Sequence, residues 1–262
     1  MILGLVGSEM CIRDSYHRQL DDAWVQEATQ VEKTLKIKVV GRSRGQKLVV
    51  SDDWVTEILV VEGCSLTYKQ PEQAFIQPNG VVNQEMLGWA CAHAQNSNQD
   101  LLELYCGIGN FTIPLSKHYR RVLATEVSKV ATRAAQENLV LNEVDNVALA
   151  HLAAEEVTQA INGEREFRRL KSLDPRLSDY ELATVFVDPP RAGLDDGTTR
   201  LCQKFNQILY ISCNPLTLID NLKSLSVTHR IQALAFFDQF PYTHHLECGV
   251  SLIRRGEHES TN

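Results

Sequence analysis

The stretch LLELYCGIGNFTIPL, residues 101–115, decides the fold of this chain. An apolar run ends in Gly107-Ile108-Gly109, and a helix-forming segment follows. Glycines at the end of a strand allow a sharp turn and a close approach of the backbone to a ligand. The pattern therefore predicts a strand, a ligand-binding turn and a helix, although a G-x-G pair alone also fits a plain turn in an α/β protein.

Outward from this turn, apolar runs alternate with helical patterns through the rest of the chain. The predicted strands are DLLELYC, RVLATEV, NVALAHL, LATVFVDPP, QILYISCNP, IQALAFF and CGVSLIRR. Strands that alternate with helices indicate βαβ units and a parallel, doubly wound sheet. The last two runs are joined by DQFPYTHHLE without a helix between them, which predicts an antiparallel strand at one side of the sheet.

The segment that precedes this sheet has a different pattern and suggests a smaller α+β unit. Residues 16–35 space apolar side chains at helical intervals, and short strand pairs follow around turns that contain glycine. We place a domain boundary near residue 80. The predicted organisation is a leader over residues 1–15 that is disordered or foreign to the rest of the chain, a small α+β domain over 16–80, an α/β domain over 81–255 and a disordered tail over 256–262.

The amino-acid composition limits which classes of protein this chain can belong to. The 262 residues are 44% hydrophobic, which is enough for one large core or for a domain plus a smaller piece. A net charge of -7 counts against a large surface that wraps phosphates, although a local basic patch is compatible with it. The seven cysteines lack metal-site spacing and indicate reduced thiols in a cytoplasmic protein. No apolar run reaches the roughly 18 residues of a membrane span.

An acidic residue ends the second strand of the predicted sheet. Glu126 lies 19 residues after Gly107, a position that suits the paired hydroxyls of a ribose. The third glycine of a dinucleotide fingerprint is absent, and so is a P-loop. With Glu103 inside the preceding strand, the motif resembles that of Rossmann-like methyltransferases that use S-adenosylmethionine.

Two further loops carry candidate chemistry after the fourth and fifth predicted strands. The fourth strand ends in Asp188-Pro189-Pro190-Arg191, and Cys213 follows the fifth. Ligands of open α/β sheets bind at this edge, and prolines stiffen a loop against it. Methyltransferases of amino groups carry a base-stacking aromatic where Arg191 stands. Amino chemistry is therefore not favoured, and the next strand must supply the reactive group.

Cys213 suits methylation of carbon 5 of uracil. A thiolate that adds to carbon 6 makes carbon 5 nucleophilic, and a base must then remove the proton from carbon 5. A lone cysteine can also be a small buried hydrophobe, but its place at the mouth of a strand favours the nucleophile. The base would come from His244, His245 or Glu247, and spacing alone does not choose among them. Adjacent histidines in a strand point to opposite faces, so we predict no metal site.

Together these motifs resemble the tRNA (uracil-5-)-methyltransferase family, which forms 5-methyluridine in the T-loop. The matching stretches are FIQPN, LLELYCGIGNF, RVLATEVSK, AAEEVTQAINGEREFRRL, FVDPPRAGLD, LYISCNPLTL and AFFDQFPYTHHLECGV. The resemblance covers roughly Tyr16 to Arg254. It implies a Rossmann-like class I methyltransferase with a mostly parallel seven-stranded sheet, helices on both faces and the remnant of a smaller N-terminal domain that binds RNA.

The resemblance also implies roles for individual residues. Cys213 would be the nucleophile and Glu247 the base. The residues implied at the S-adenosylmethionine site are Gln77, Tyr105, Gly107, Asn110, Glu126 and Asp188. Candidates for holding the uridine are Arg191, Phe240 and His244. The expected partner is the T-arm of tRNA, and the protein is expected to act as a cytoplasmic monomer without metal or membrane.

The opening residues MILGLVGSEMCIRDS match nothing that we expect of this family. Family members carry a longer stretch before the first helix, so we expect a truncated or mis-assembled front and an incomplete small domain. Two alternatives to tRNA methylation stay open. One is the same chemistry on ribosomal RNA, and the other is a catalytically inactive remnant that binds cofactor or RNA.

Overall fold

The architecture is that of a computed structural model, which describes residues 2–6, 9–94, 98–171, 173, 175–243 and 245–256, with only the backbone for residues 2–14. The strands of this part are β1 (Ile2–Val6), β2 (Glu9–Ser15), β3 (Lys38–Ser43), β4 (Gln46–Val49), β5 (Trp54–Val61), β6 (Cys64–Pro71), β7 (Asp100–Leu104), β8 (Arg121–Glu126), β9 (Val147–His151), β10 (Leu182–Val187), β11 (Gln207–Ser212), β12 (His229–Phe237) and β13 (Glu247–Arg254). The helices are α1 (Asp22–Leu35), α2 (Gly80–His93), α3 (Thr112–Ser116), α4 (Lys129–Leu141), α5 (Ala154–Ile161), α6 (Arg168–Lys171), α7 (Asp196–Cys202) and α8 (Pro215–Leu225).

The seven predicted strands form one sheet, which confirms the predicted fold. Their order is β12-β13-β11-β10-β7-β8-β9. Strands β7 to β11 pair in parallel, and β13 runs antiparallel to both of its neighbours, β11 and β12. The strand order reverses between β7 and β10. Ligands of such sheets bind at the carboxyl ends of the strands beside this reversal.

The central strands are buried on both faces, as parallel strands covered by helices must be. Successive side chains of a strand point to opposite faces of the sheet. In β7, Leu102 and Leu104 pack into one core cluster, whereas Leu101 packs into the other. The sheet is thus held rigidly between two apolar layers, and the loops at its carboxyl edge sit on a fixed base.

The first helix begins later than the sequence pattern predicts. Its first residue is Asp22 rather than Tyr16, because the Asp21 carboxylate caps it by accepting from the Trp24 N–H at 2.9 Å. Before the cap, the Tyr16 N–H donates to the carbonyl of Arg42 at 2.8 Å and continues the pairing of β2 with β3. Apolar spacing cannot detect this competition between strand and helix.

The front of the chain forms two small sheets. Strands β1 to β4 make a four-stranded sheet, in which β2 pairs in parallel with β3, and β5 and β6 form an antiparallel hairpin. Segment 1–15 thus holds two paired strands. The division of the chain into domains stays a prediction, and residues 257–262 of the predicted tail lie outside the described residues.

Amide side chains of α4 and of the residue that caps its carboxyl end attach the β5–β6 hairpin to the large sheet. The Asn138 amide accepts from the Lys69 N–H at 2.7 Å and donates to the Lys69 carbonyl at 3.1 Å. Asn142 forms the same pair of bonds with Thr67 at 2.9 and 2.7 Å. The helix thereby satisfies the open edge of β6 as a neighbouring strand would.

Among the described residues, no helix combines the length and the apolar character that a membrane span requires.

Candidate active site

The glycine turn after β7 adopts the conformation that its sequence predicts. Tyr105, Gly107 and Gly109 all have positive φ, at 62°, 56° and 85°. Glycine adopts this region without strain, whereas a side chain on Cβ is disfavoured there. A Cβ on Gly107 would meet nothing within 4 Å, so backbone geometry rather than crowding calls for glycine there.

The Glu126 carboxylate connects this turn to the next strand. Its Oε2 accepts from the Gly107 N–H at 3.0 Å, and its Oε1 accepts from the Ser128 N–H at 2.7 Å. Both oxygens keep further lone pairs, because a carboxylate has about four acceptor positions. Glu126 is therefore a fixed acceptor at the carboxyl end of β8, where the sequence predicts a ribose site.

Two other predicted cofactor residues have their side chains held by the protein. The Tyr105 side chain packs against the core, and burial raises the pKa of its phenol. The Asn110 amide pairs reciprocally with Asn83 of α2, at 2.9 and 3.0 Å. Both residues belong to the glycine turn, so the contacts of their side chains fix its position.

Gln239 is a polar residue at this site that the sequence reasoning missed. It is 2% exposed, and its Nε2 donates to Oε1 of the predicted cofactor residue Gln77 at 2.9 Å. Its own Oε1 is buried and has no hydrogen-bond partner among the described residues. The available signal was a polar pair, Asp238-Gln239, directly after the apolar strand β12.

The predicted nucleophile and base come together through the register of two strands. Strand β11 ends at Ser212, which is paired with Cys248 in the antiparallel strand β13. Continuing that register by one residue brings Cys213 opposite Glu247. The negative charge of Glu247 accordingly acts on the Cys213 thiol. The register thus brings Cys213, which follows the fifth strand of the sheet, close to Glu247, the first residue of its last strand.

Burial shifts the proton affinity of the side chains at this edge. Glu247 is 2% exposed, and desolvation raises its pKa to about 7. Its Oε2 has no hydrogen-bond partner in the described part of the chain. Burial, followed by the charges of Glu247 and Asp188, raises the pKa of the Cys213 thiol, while nearby Arg191 opposes the rise.

Two further acids surround the same edge and hold their protons more tightly than usual. Burial and the charge of Glu247 raise the pKa of Asp188 well above its ordinary value. Burial, with a smaller contribution from Asp188, raises the pKa of Glu103 to about 8. Glu103 is 1% exposed, and its Oε2 lacks a hydrogen-bond partner within the described ranges. Strongly shifted acids in a cleft mark candidate functional sites.

The loop that carries Arg191 is attached directly to the cysteine loop. The Arg191 carbonyl accepts from Nδ2 of Asn214 at 3.0 Å and from Oγ1 of Thr217 at 3.2 Å. One guanidinium nitrogen of Arg191 lies 3.3 Å from Nδ1 of His245, whose ring makes an edge-to-face contact with Phe240. These predicted substrate residues therefore form one rim. His244, the third of them, lies outside the described residues.

The buried Glu103 should make the stability of the protein depend on pH. Because its folded pKa is about 8 and its ordinary value is 4.5, the unfolded chain loses this proton first as the pH rises. The free energy of unfolding should therefore fall between about pH 4.5 and pH 8. Glu103→Gln removes the carboxyl group that causes this fall. At pH 8 the free energy of unfolding of the variant should therefore exceed that of the wild type by up to about 4 kcal/mol.

Urea unfolding at pH 5 and pH 8 measures this effect. Glu85→Gln, which changes an exposed glutamate of α2, is the matched control and should follow the wild type. A pH dependence that Glu103→Gln leaves unchanged would contradict the prediction.

The chain is similar to proteins of one known family. A family model described as tRNA (Uracil-5-)-methyltransferase matches residues 2–255. The tRNA/tmRNA (uracil-C(5))-methyltransferase of Acinetobacter baylyi is 56% identical over 250 residues, which are 95% of this chain and 69% of that protein. The protein of the same name from Pseudomonas putida GB-1 is 55% identical over 251 residues, 96% of this chain and 69% of the relative.

Solved structures share the fold at lower identity. One is the Pyrococcus abyssi tRNA (uracil-54, C5)-methyltransferase in complex with S-adenosyl-L-homocysteine, with a TM-score of 0.69 and 22% identity. The match covers 95% of this chain and spans 58% of that one. A putative SAM-dependent methyltransferase from Streptococcus mutans matches with a TM-score of 0.62 and 9% identity, over 95% of this chain and 70% of its own.

Proposed function

Because this chain belongs to the tRNA (uracil-5-)-methyltransferase family, we propose that it methylates carbon 5 of a uridine in tRNA with S-adenosylmethionine as the methyl donor. The proposed target is the T-loop uridine, in line with the uracil-54 in the name of the Pyrococcus abyssi enzyme. The observation that carries the proposal is the β11–β13 register, which, continued by one residue beyond the Ser212–Cys248 pair, brings Cys213 opposite Glu247 at the carboxyl edge of the sheet.

The residues at the glycine turn are suited to S-adenosylmethionine. The fixed carboxylate of Glu126 would accept hydrogen bonds from ribose hydroxyls, and the turn at Gly107 lets the ligand approach the backbone. When bound, the cofactor supplies an electrophilic methyl group on a sulfonium. The buried, unpartnered Oε1 of Gln239 and Oε2 of Glu103 are the kind of polar atoms that a ligand or an ordered water would satisfy.

We assign Gln239 a positioning role for Gln77. Since Gln239 donates to Gln77 Oε1, the amide nitrogen of Gln77 remains a donor for another group. A donor at that point suits the carboxylate of the methionine part of the cofactor. Asp188 would complete this side of the pocket, as the family resemblance implies.

The proposed reaction begins at the sulfur of Cys213. After the thiol has lost its proton to solvent, Sγ forms a bond to carbon 6 of the uracil, and the electron pair of the 5,6 double bond moves toward carbon 5. Carbon 5 then takes the methyl group, and the electron pair of the broken sulfur–methyl bond would stay on the cofactor sulfur, which leaves as a neutral thioether. Glu247 removes the remaining proton from carbon 5, the double bond re-forms, and the bond between Sγ and carbon 6 breaks. The cysteine is thereby regenerated, and the glutamate leaves the step protonated.

The pKa of about 7 suits Glu247 to this step. A carboxylate of ordinary pKa is a weak base, whereas a base near the working pH is both ionised and strong enough to abstract a proton. The raised pKa of Cys213 means that the resting enzyme holds a thiol. The uridine must leave its stack to reach this thiol, and the rim of Arg191, Phe240 and His245 is the proposed surface that receives it.

Methyl transfer to defined RNAs tests the proposed function. The protein is incubated with methyl-labelled S-adenosylmethionine and unmodified tRNA, and the RNA is digested to nucleosides. Labelled 5-methyluridine should appear, and a tRNA with cytidine at the T-loop target should lose it. Label in ribosomal RNA but not in tRNA would support the same chemistry on the other substrate. No label in either RNA would contradict the proposal and favour an inactive remnant.

A further inference from the structure

Three side chains that are far apart in the sequence converge on the side of the protein opposite the candidate active site. They are Glu62 from the β5–β6 turn, Cys91 from the last turn of α2 and His118 from the loop between α3 and β8. One candidate ligand atom from each lies within 4.8 Å of the others. Nε2 of His118 is already 2.9 Å from Oε2 of Glu62. From this convergence we propose that the three residues bind a divalent cation of the zinc class.

The donor set favours zinc over the hard cations. A thiolate, an imidazole and a carboxylate are the ligands of tetrahedral Zn²⁺ sites, whereas Ca²⁺ and Mg²⁺ take oxygen ligands. Zinc bonds of about 2.0–2.3 Å place tetrahedral ligand atoms about 3.3–3.7 Å apart. The Cys91 sulfur must therefore approach the other two atoms by up to about 1 Å, and the His118–Glu62 pair, now 2.9 Å apart, must open by a few tenths of an ångström. A thiolate and a carboxylate together neutralise the two charges of the ion, and a water would complete the tetrahedron.

The surroundings of the three residues support a cation. Cys91 lies near the carboxyl end of the 14-residue helix α2, where unsatisfied carbonyls give a partial negative charge. Glu62 is exposed and His118 partly exposed, so an ion can reach the buried sulfur from solvent. Lys117 also acts on Cys91, with a positive charge that opposes the cation.

A nucleophilic triad of Cys91, His118 and Glu62 is the other chemistry that these residue types allow. The Cys91 side chain is only 2% exposed, and burial, followed by the charge of Glu62, raises its pKa to about 12. A catalytic thiol needs a depressed pKa and access to its substrate. A metal ion needs neither, because it displaces the thiol proton itself and is small enough to sit between the three side chains. A metal-binding site is therefore favoured over a catalytic triad.

The site would fasten the front hairpin to the large sheet. Helix α2 leads into the amino end of β7, and His118 precedes the amino end of β8, so the cluster lies at the edge opposite Cys213. Five residues of β7 separate the two edges by about 17 Å. The bound ion therefore holds the β5–β6 turn, α2 and the α3–β8 loop together and takes no part in methyl transfer.

Cobalt(II) is the probe, because a thiolate bound to it gives a near-ultraviolet charge-transfer band and a tetrahedral site gives visible ligand-field bands. Titration of the chelator-treated full chain should give these bands at one Co(II) per chain, and Zn²⁺ should displace them. Saturating Zn²⁺ should also raise Tm by about 5 °C. Absence of a charge-transfer band at millimolar Co(II) would overturn the proposal.

Variants identify the ligands. Cys91→Ser should abolish the charge-transfer band, and His118→Ala and Glu62→Gln should each weaken Co(II) binding at least tenfold. Cys64→Ser, which changes an exposed cysteine two residues from Glu62, should leave the bands unchanged, as should Cys213→Ser. Lys117→Ala should tighten binding, because it removes the opposing charge. Bands that survive Cys91→Ser, or that disappear in Cys64→Ser or Cys213→Ser, would assign the metal elsewhere and refute the site.

The test remains interpretable if Cys91→Ser disturbs the core. His118 and Glu62 are more exposed, so their variants should fold normally, with wild-type Tm in the absence of metal. Loss of Co(II) affinity in these two variants, together with unchanged melting of the metal-free protein, supports the site. Unchanged Co(II) affinity in both contradicts it, whether or not the chain methylates RNA.

Discussion

Replacing Cys213 with alanine should reduce methyl transfer at least about 10⁴-fold while binding of S-adenosylmethionine stays near wild type. Without the sulfur, no group can add to carbon 6, and carbon 5 of uracil stays too weak a nucleophile to attack a sulfonium methyl. The predicted cofactor residues at the glycine turn follow β7 or end β8 and do not depend on the thiol. Single-turnover transfer of labelled methyl to tRNA and calorimetric binding of the cofactor measure the two effects separately.

The covalent step has its own readout. T-arm RNA that carries 5-fluorouridine at the target should trap the wild-type protein in an adduct that survives denaturation, because fluorine at carbon 5 cannot be removed as a proton. Cys213→Ala should give no adduct, and Cys64→Ser, an exposed cysteine outside the site, should give the wild-type amount. An adduct that persists in Cys213→Ala would refute the assignment of Cys213 as the nucleophile.

Replacing Glu247 with glutamine should slow turnover by about 10³-fold and should let the methylated adduct accumulate on natural tRNA. The variant keeps the nucleophile and the cofactor site, so bond formation to carbon 6 and methyl transfer can still occur. Proton removal from carbon 5 then fails, and the bond to Sγ cannot break. A band of protein linked to methyl-labelled RNA on a denaturing gel is the direct measurement.

The pH dependence of the wild type should report the same glutamate. The base acts as a carboxylate, and burial raises its pKa to about 7. Below that pH, proton abstraction should fall about tenfold per pH unit, and above it this step should no longer depend on pH. Glu247→Gln should lose this limb of the profile. Rapid turnover of the glutamine variant with an unchanged profile would show that another group, such as His245, is the base.

Local patterns were enough to predict much of the architecture. Each of the seven strands of the large sheet is marked by a short apolar run, and the turn at Gly107 follows from glycines that accept positive φ. The predicted start of α1 was wrong because the Asp21 cap and the strand-like bonds of Tyr16 override apolar spacing. A helix cap is a single residue, so a pattern of apolar spacing that extends over many residues does not reveal it.

The sequence by itself determined the order of the elements and the residue types at their ends, because periodicity and turn chemistry are properties of neighbours along the chain. It left His244, His245 and Glu247 equal as candidate bases until family resemblance was considered. Only the tertiary structure decided the β11–β13 register that sets Glu247 opposite Cys213, and the burial that raises the pKa of Glu247 to about 7.

The pairing of Gln239 with Gln77 and the convergence of Glu62, Cys91 and His118 were also decided by the tertiary structure alone. Their physical reason is the same in each case. Pairing, burial and charge act between side chains that are distant in sequence, and their distances exist only after the sheet and its covering helices have packed.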